Sequence, residues 1–318
     1  MKMNTNKWLC ILGVLIGAIF LMGFTKLQFY TDVYAWYPDG EIKKISPGDG
    51  IYFQPCIHPE GTHVVYYGNS TGPPRVWKAD LKTGKIVALT PPDSNARHPV
   101  FDWEGEQIAF SSDQVFDQKH ETVEEMTPSG DTPAGSHFNI FVMNADGKNV
   151  RQVTKGPYQD ERPCFSPDEK EITFVSNRLG KKYGLWRVSV DGTKGPWPLL
   201  LKGWGYRPWY SVDGQWIFFY TGIDKRHRIC KIPAKGGKIV PLENDNLRLS
   251  HGPFVDPDGK SILVHGIKEG DFHGIWEIPL DGDPPLQLKP PGFEKVHHGH
   301  ATRGKNGVIT FDALRFEK

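Results

Sequence analysis

The stretch VHHGH at 296–300 places His298 and His300 two residues apart, so that on a strand both imidazoles face one side. His251 occupies a matching position one repeat earlier. Three imidazoles that converge could hold Zn²⁺ or Mn²⁺ and leave a coordination position open, as a catalytic metal requires. Ordinary polar loop histidines are the simpler alternative. A second set joins this one: Gln54, His98, Arg162 and Arg207 each stand directly before a recurring proline, at Pro55, Pro99, Pro163 and Pro208. Guanidinium groups gathered with imidazoles suit an anionic ligand, for instance a carboxylate gripped by two parallel hydrogen bonds. The same arginines could instead brace loops through Asp160 and Glu161.

Other apparent motifs carry less. GNSTG at 68–72 fits G-x-S-x-G, yet Pro73-Pro74 follow it where a nucleophile elbow requires a helix. Repeated Asp-Gly pairs sit where hairpin turns are needed, so turn geometry accounts for them. Cys10 lies in an apolar N-terminal run, and Cys56, Cys164 and Cys230 form no C-x-x-C pattern. Buried small hydrophobes are the expected state of those three thiols. No P-loop or dinucleotide fingerprint is present. Lys+Arg (38) nearly balances Asp+Glu (37), which gives no overall field to draw in nucleic acid.

The elements that position these residues are visible as a repeat. RPCFSPDEKEITFVSNR at 162–178 matches HPVFDWEGEQIAFSSDQ at 98–114, and the pattern recurs at 54–68, 207–221 and 253–265. Marker prolines at 55, 99, 163, 208 and 253 are spaced 44, 64, 45 and 45 residues apart. The long interval contains a polar insertion at 113–137, expected to overhang the face on which the marker residues lie. A second half follows in each unit: an alternating strand, an acidic-glycine turn and a short last strand. From marker proline to turn glycine the distance is 29 residues in three units, Pro163 to Gly192, Pro208 to Gly237 and Pro253 to Gly282. Two-residue alternation and Asp-Gly turns give four short, half-buried antiparallel strands per unit, which is a propeller blade. Residues 33–46 read as a second half and 298–312 as a first half, so the two chain ends together complete a sixth blade. The expected fold is therefore all-β, a six-bladed β-propeller over 31–318 closed by its N- and C-terminal strands, in which the marker residues ring the channel mouth.

On the strength of SPDEKEITFVSNR, VDPDGKSILV and SVDGQWIFFY, the units resemble the PD40, or WD40-like, repeat of TolB-like propellers. The resemblance implies a rigid scaffold and a protein or peptide partner at the channel mouth, with no cofactor. The late H-x-H pair is similar to that of oligogalacturonate lyases, propellers that hold a metal with histidines. That second resemblance implies a metal-dependent polysaccharide lyase in which His251, His298 and His300 hold Mn or Zn, and in which His98 is the candidate base. Lys295 stands where the lyases carry a glutamine.

Residues 8–24, WLCILGVLIGAIFLMGF, carry no charge and follow Lys2 and Lys7. Seventeen apolar residues reach the lower end of a spanning helix, and the lysines hold the N-terminus inside. Residues 1–30 are thus expected to be an uncleaved apolar anchor helix, with a cleaved signal peptide as the alternative, and the propeller to be a monomer in the periplasm or outside the cell.

Overall fold

The computed structural model describes residues 28–113, 137–180, 183–200, 204–223, 226–242, 248–267 and 273–317. The apolar run at 8–24 and nearly all of the polar insertion lie outside them. Within the described residues the structure is strands and turns, with no helix. Four separate sheets of four antiparallel strands follow one another along the chain, over 96–152, 160–198, 206–241 and 248–288. Eight further strands form one sheet. In it the strand Gln28–Trp36 runs antiparallel to Ile309–Glu317 along its whole length, from Gln28 opposite Glu317 to Trp36 opposite Ile309. The first and last described strands therefore close the structure together, as the half-units at the chain ends imply.

Four separate four-stranded sheets are present, where the repeat predicts six. The difference has a local cause. Thr31 pairs in parallel with Ile51, and its N–H donates to the Gly50 carbonyl at 3.1 Å. That bridge merges the terminal strands with the four strands of 51–88 into the eight-stranded sheet.

Packing follows the order of the chain and returns to its start. Phe110, Ile140, Phe165 and Phe174 share one buried cluster, Val175, Leu185, Phe219 and Cys230 a second, and Phe218, Ile229, Val264 and Trp276 a third. Leu263 and Ile275 then pack with Phe311 and Ala313, while Val33 and Ala35 pack with Tyr52 and Val64. Each sheet is thus covered on both faces, and the strands are more buried than two-residue alternation implies. In Glu171–Ser176 every residue after Glu171 is buried. Hydrophobic burial between sheets is the dominant stabilising term, and it leaves the first strand of each sheet facing a common axis.

The Asp-Gly turns behave as turns. Asp191 accepts from the Thr193 N–H at 3.0 Å and from the Ser189 hydroxyl at 2.6 Å, which holds its carboxyl down at about 2. Gly192 follows with φ of 72°, and a Cβ there would meet the Val153 carbonyl of the preceding sheet at 2.8 Å. Only glycine fits that turn against its neighbour. Between the last two repeats, Arg303 reaches back to Asp256 at 2.9 Å and Glu277 at 2.8 Å, an ion-pair brace at the seam.

Phe311 is fully buried and stacks on Tyr34 of the opposite chain end, with ring centroids 5.6 Å apart. Phe311→Ala is expected to lower the unfolding free energy by roughly 3–5 kcal/mol. Leu286→Ala, at a side chain 60% exposed, is expected to change it by less than about 0.5 kcal/mol. Urea denaturation of both variants checks the contrast.

Candidate functional site at the channel mouth

Each first strand breaks its own alternation at the same place. Ladder register shifts between Phe53 and Cys56, Arg97 and Val100, Glu161 and Cys164, Tyr206 and Trp209, His251 and Phe254, and Gly299 and Thr302. Inside these bulges Gln54, His98, Arg162, Arg207 and His300 adopt left-handed backbone, with φ of 53°, 54°, 54°, 53° and 47°. Gly252 takes the same place in the fifth repeat with φ of 150°. The ladder skips a donor at each bulge, so Pro55, Pro99, Pro163, Pro208 and Pro253 can follow without losing a strand hydrogen bond.

Gln54, His98, Arg162, Arg207, Gly252 and His300 all line one cavity of about 90 Å³ on the axis. Five of the seven residues singled out in the sequence are therefore brought together. His251 and His298 are not the equivalents of this ring; Gly252 and His300 are. The backbone of His251 pairs with His265, and its side chain lies outside the described residues. His298 does not line the cavity: its Nδ1 lies 2.7 Å from the Val296 carbonyl and its ring packs against Phe311. The register shift after Gly299 and the left-handed φ of His300 undo the two-residue spacing that would have put both imidazoles on one side. Among the described residues no group of three histidine, cysteine or acidic side chains is placed to hold a metal ion.

A second ring stands behind the first, on the second strands. Ser111 Oγ lies 3.4 Å from His98 Nδ1, and the Tyr67 ring packs edge-on to the same imidazole. Asp312 Oδ2 lies 2.6 Å from His300 Nδ1 and also accepts from the Gln54 backbone N–H at 2.8 Å. Arg162 donates to Gln54 Oε1 at 3.2 Å and to the Tyr206 hydroxyl at 3.1 Å, with its guanidinium carbon 4.3 Å from the centre of the Tyr206 ring. The expected brace through Asp160 goes elsewhere, because Asp160 is paired with Arg178. Tyr206 thus touches the mouth through Arg162, and Trp209 both lines the cavity and packs at a tilt on Phe254 between repeats, with ring centroids 4.7 Å apart.

Burial and charge set the protonation of these groups. His98 is held well below the usual imidazole range, first by burial and then by the Arg162 and Arg207 guanidinium groups. Burial pushes the Asp312 carboxyl up to about 7, against the pull of the Gln54 N–H and of Arg207. The Cys56 and Cys164 thiols, also buried, are pushed up to about 12 and are inert as nucleophiles. The mouth therefore combines two guanidinium groups, a neutral imidazole and a carboxyl able to take up a proton near neutrality. Such an arrangement can hold a small anion. Asp312 and Ser111 were not singled out in the sequence, whereas Tyr206 was, with Trp204 and Trp209, as an aromatic suited to a partner. Of the first two, Asp312 alone left a signal there, a charged residue inside the apolar run VITFDAL.

A run of four-stranded antiparallel sheets around an axial mouth bearing two guanidinium groups defines a β-propeller-like scaffold. Residues 132–295 match the family described as the TolB beta propeller domain, PD40, and the chain belongs to that family. The Tol-Pal system protein TolB of Francisella tularensis subsp. mediasiatica (strain FSC147) is 23% identical over 229 residues, covering 70% of this chain and 47% of that protein. The chain thus spans about half the length of the curated TolB relatives it matches. Among solved structures, a putative TolB from Agrobacterium tumefaciens superimposes with a TM-score of 0.69 at 15% identity, over 92% of this chain and 99% of that one. An oligogalacturonate lyase from Vibrio parahaemolyticus gives a TM-score of 0.54 at 11% identity, over 86% and 80%. Likeness at these identities concerns the fold.

The Asp312 carboxyl gains its proton near pH 7 in the folded protein and near 3.9 when unfolded. The folded state therefore binds more protons between those values, so the stability this group confers is full at the acid end and declines as pH rises through 7. Asp312→Asn is expected to gain stability relative to the parent between pH 5 and pH 8. Urea midpoints of both proteins at the two pH values check the sign.

Proposed function

We propose that the protein is a non-catalytic TolB-like propeller of the cell envelope that binds a partner protein or peptide at its channel mouth. Family membership supports a protein-interaction role, since the relatives bear the name of the Tol-Pal system. The observation that carries the reading is the ring itself: five left-handed, non-glycine residues lining one axial cavity, two of them bearing guanidinium groups. Backbone strain of this kind concentrates at binding sites, where the surrounding structure holds it in place. In this reading the eight-stranded sheet is two blades, 51–88 and the terminal strands 28–44 with 298–317, joined at the single Thr31–Ile51 pair, and the propeller has six. Residues 8–24 anchor it in the membrane with the propeller in the periplasm, as a monomer without a cofactor.

The lyase alternative places a metal on His251, His298 and His300. The turning of His298 away from the cavity and the presence of Lys295 favour the binding reading over it.

Two measurements test the proposal. Affinity-tagged protein is expected to co-purify with Tol-Pal proteins of its own cell envelope, and Arg162→Ala/Arg207→Ala is expected to reduce that recovery at least about tenfold, as loss of central charged contacts does. Equal recovery by the variant contradicts binding at the mouth. Elemental mass spectrometry of untagged protein is expected to find Mn and Zn well below one equivalent. A stoichiometric metal lost in His298→Ala/His300→Ala contradicts the non-catalytic reading.

A further inference from the structure

The mouth is smaller and more specific than a surface that receives a folded partner. Its cavity measures about 90 Å³ and lies inside the ring, on the axis. A water occupies roughly 10–15 Å³ on the same measure, so the space holds a carboxylate and little more than one small residue. Two buried nitrogens on ring side chains lack a hydrogen-bond partner among the described residues. Gln54 uses its Oε1 to accept from Arg162, and its Nε2, although buried, has no hydrogen-bond partner among the described residues. His98 sets its Nδ1 toward Ser111 and leaves a buried Nε2 likewise without a partner. Both residues line the cavity together with Arg162 and Arg207. Polar atoms buried in this way are costly unless something completes them.

Geometry then separates two sources of carboxylate. A chain end can enter along the axis and bring its carboxylate to the floor of the ring. An internal aspartate or glutamate must lay backbone across the mouth on both sides, and the short side chain has to span the depth of the ring. Resting on the peptide-binding reading above, we infer that the mouth is a receptor for the free C-terminal carboxylate of an extended peptide.

The test uses three probes with the full chain: acetyl-Gly-Gly-Ala with a free C-terminus, the same peptide as its C-terminal amide, and acetyl-Gly-Asp-Gly amide, which carries only an internal carboxylate. Affinities are read by NMR titration at about pH 7. The free acid is expected to bind at least about tenfold more tightly than either amide. Arg207→Gln is expected to lose binding with the fold intact by circular dichroism. Equal affinity of the amide or of the internal-aspartate peptide overturns the terminal-carboxylate assignment. Undetected binding of the free acid alongside intact recovery of protein partners overturns this inference alone, whereas loss of that recovery strikes the binding reading beneath it.

Discussion

The single residue in left-handed backbone before each marker position is the constraint from which the rest of the structure follows. At Gln54, His98, Arg162, Arg207 and His300 the strand steps out of register, and a side chain that would have packed between sheets is turned to the axis. A non-glycine residue there costs roughly 1–2 kcal/mol. Repeated at five positions, that cost is borne by the hydrophobic seams between the sheets, which are buried on both faces. The proline that follows is tolerated because the bulge needs no donor at that point. A rigid scaffold thus carries a strained ring that no isolated strand could hold.

What the ring presents depends on the layer behind it. Tyr67, Ser111, His265 and Asp312 occupy corresponding places on second strands and touch the residues in front of them. Fixed orientation of Gln54 and His98, a neutral imidazole and two guanidinium groups give the mouth a set of groups chemically suited to a small anion. The opposite end of the axis differs in character. There a cavity of about 290 Å³ is walled by Trp103, Phe165 and Val212 together with Asp102, Glu104, Arg303 and Lys305. The two ends of the axis therefore differ in kind: guanidinium and imidazole groups ring one, and side chains of both charges share the other with apolar ones.

Much of this was legible in the sequence because each feature repeats. Prolines at near-constant spacing, Asp-Gly turns 29 residues on, and half-units at both ends are consequences of stacking one sheet against the next. The ring residues could be read for the same reason, since they precede the prolines. The sequence is less specific where a repeat departs from its pattern. The last repeat has Ala301 in place of proline, so spacing offers both His298 and His300, whereas the bulge that selects His300 is visible only in the backbone. Asp312 could not be weighed from sequence because its environment comes from Gln54, 258 residues away along the chain. The merged eight-stranded sheet likewise rests on a single pair of residues, Thr31 and Ile51, with no sequence signature.

The central claim is that the partner is engaged at the charged mouth. The most direct measurement is site-specific photocrosslinking in the intact cell envelope, with the photoreactive residue placed at Tyr183, beside Tyr206 at the mouth, or at Val212 at the opposite end. Protein adducts from Tyr183 that disappear when Arg162 and Arg207 are replaced, with none from Val212, are the predicted result. Adducts from Val212 alone, or adducts from Tyr183 indifferent to both arginines, would contradict it.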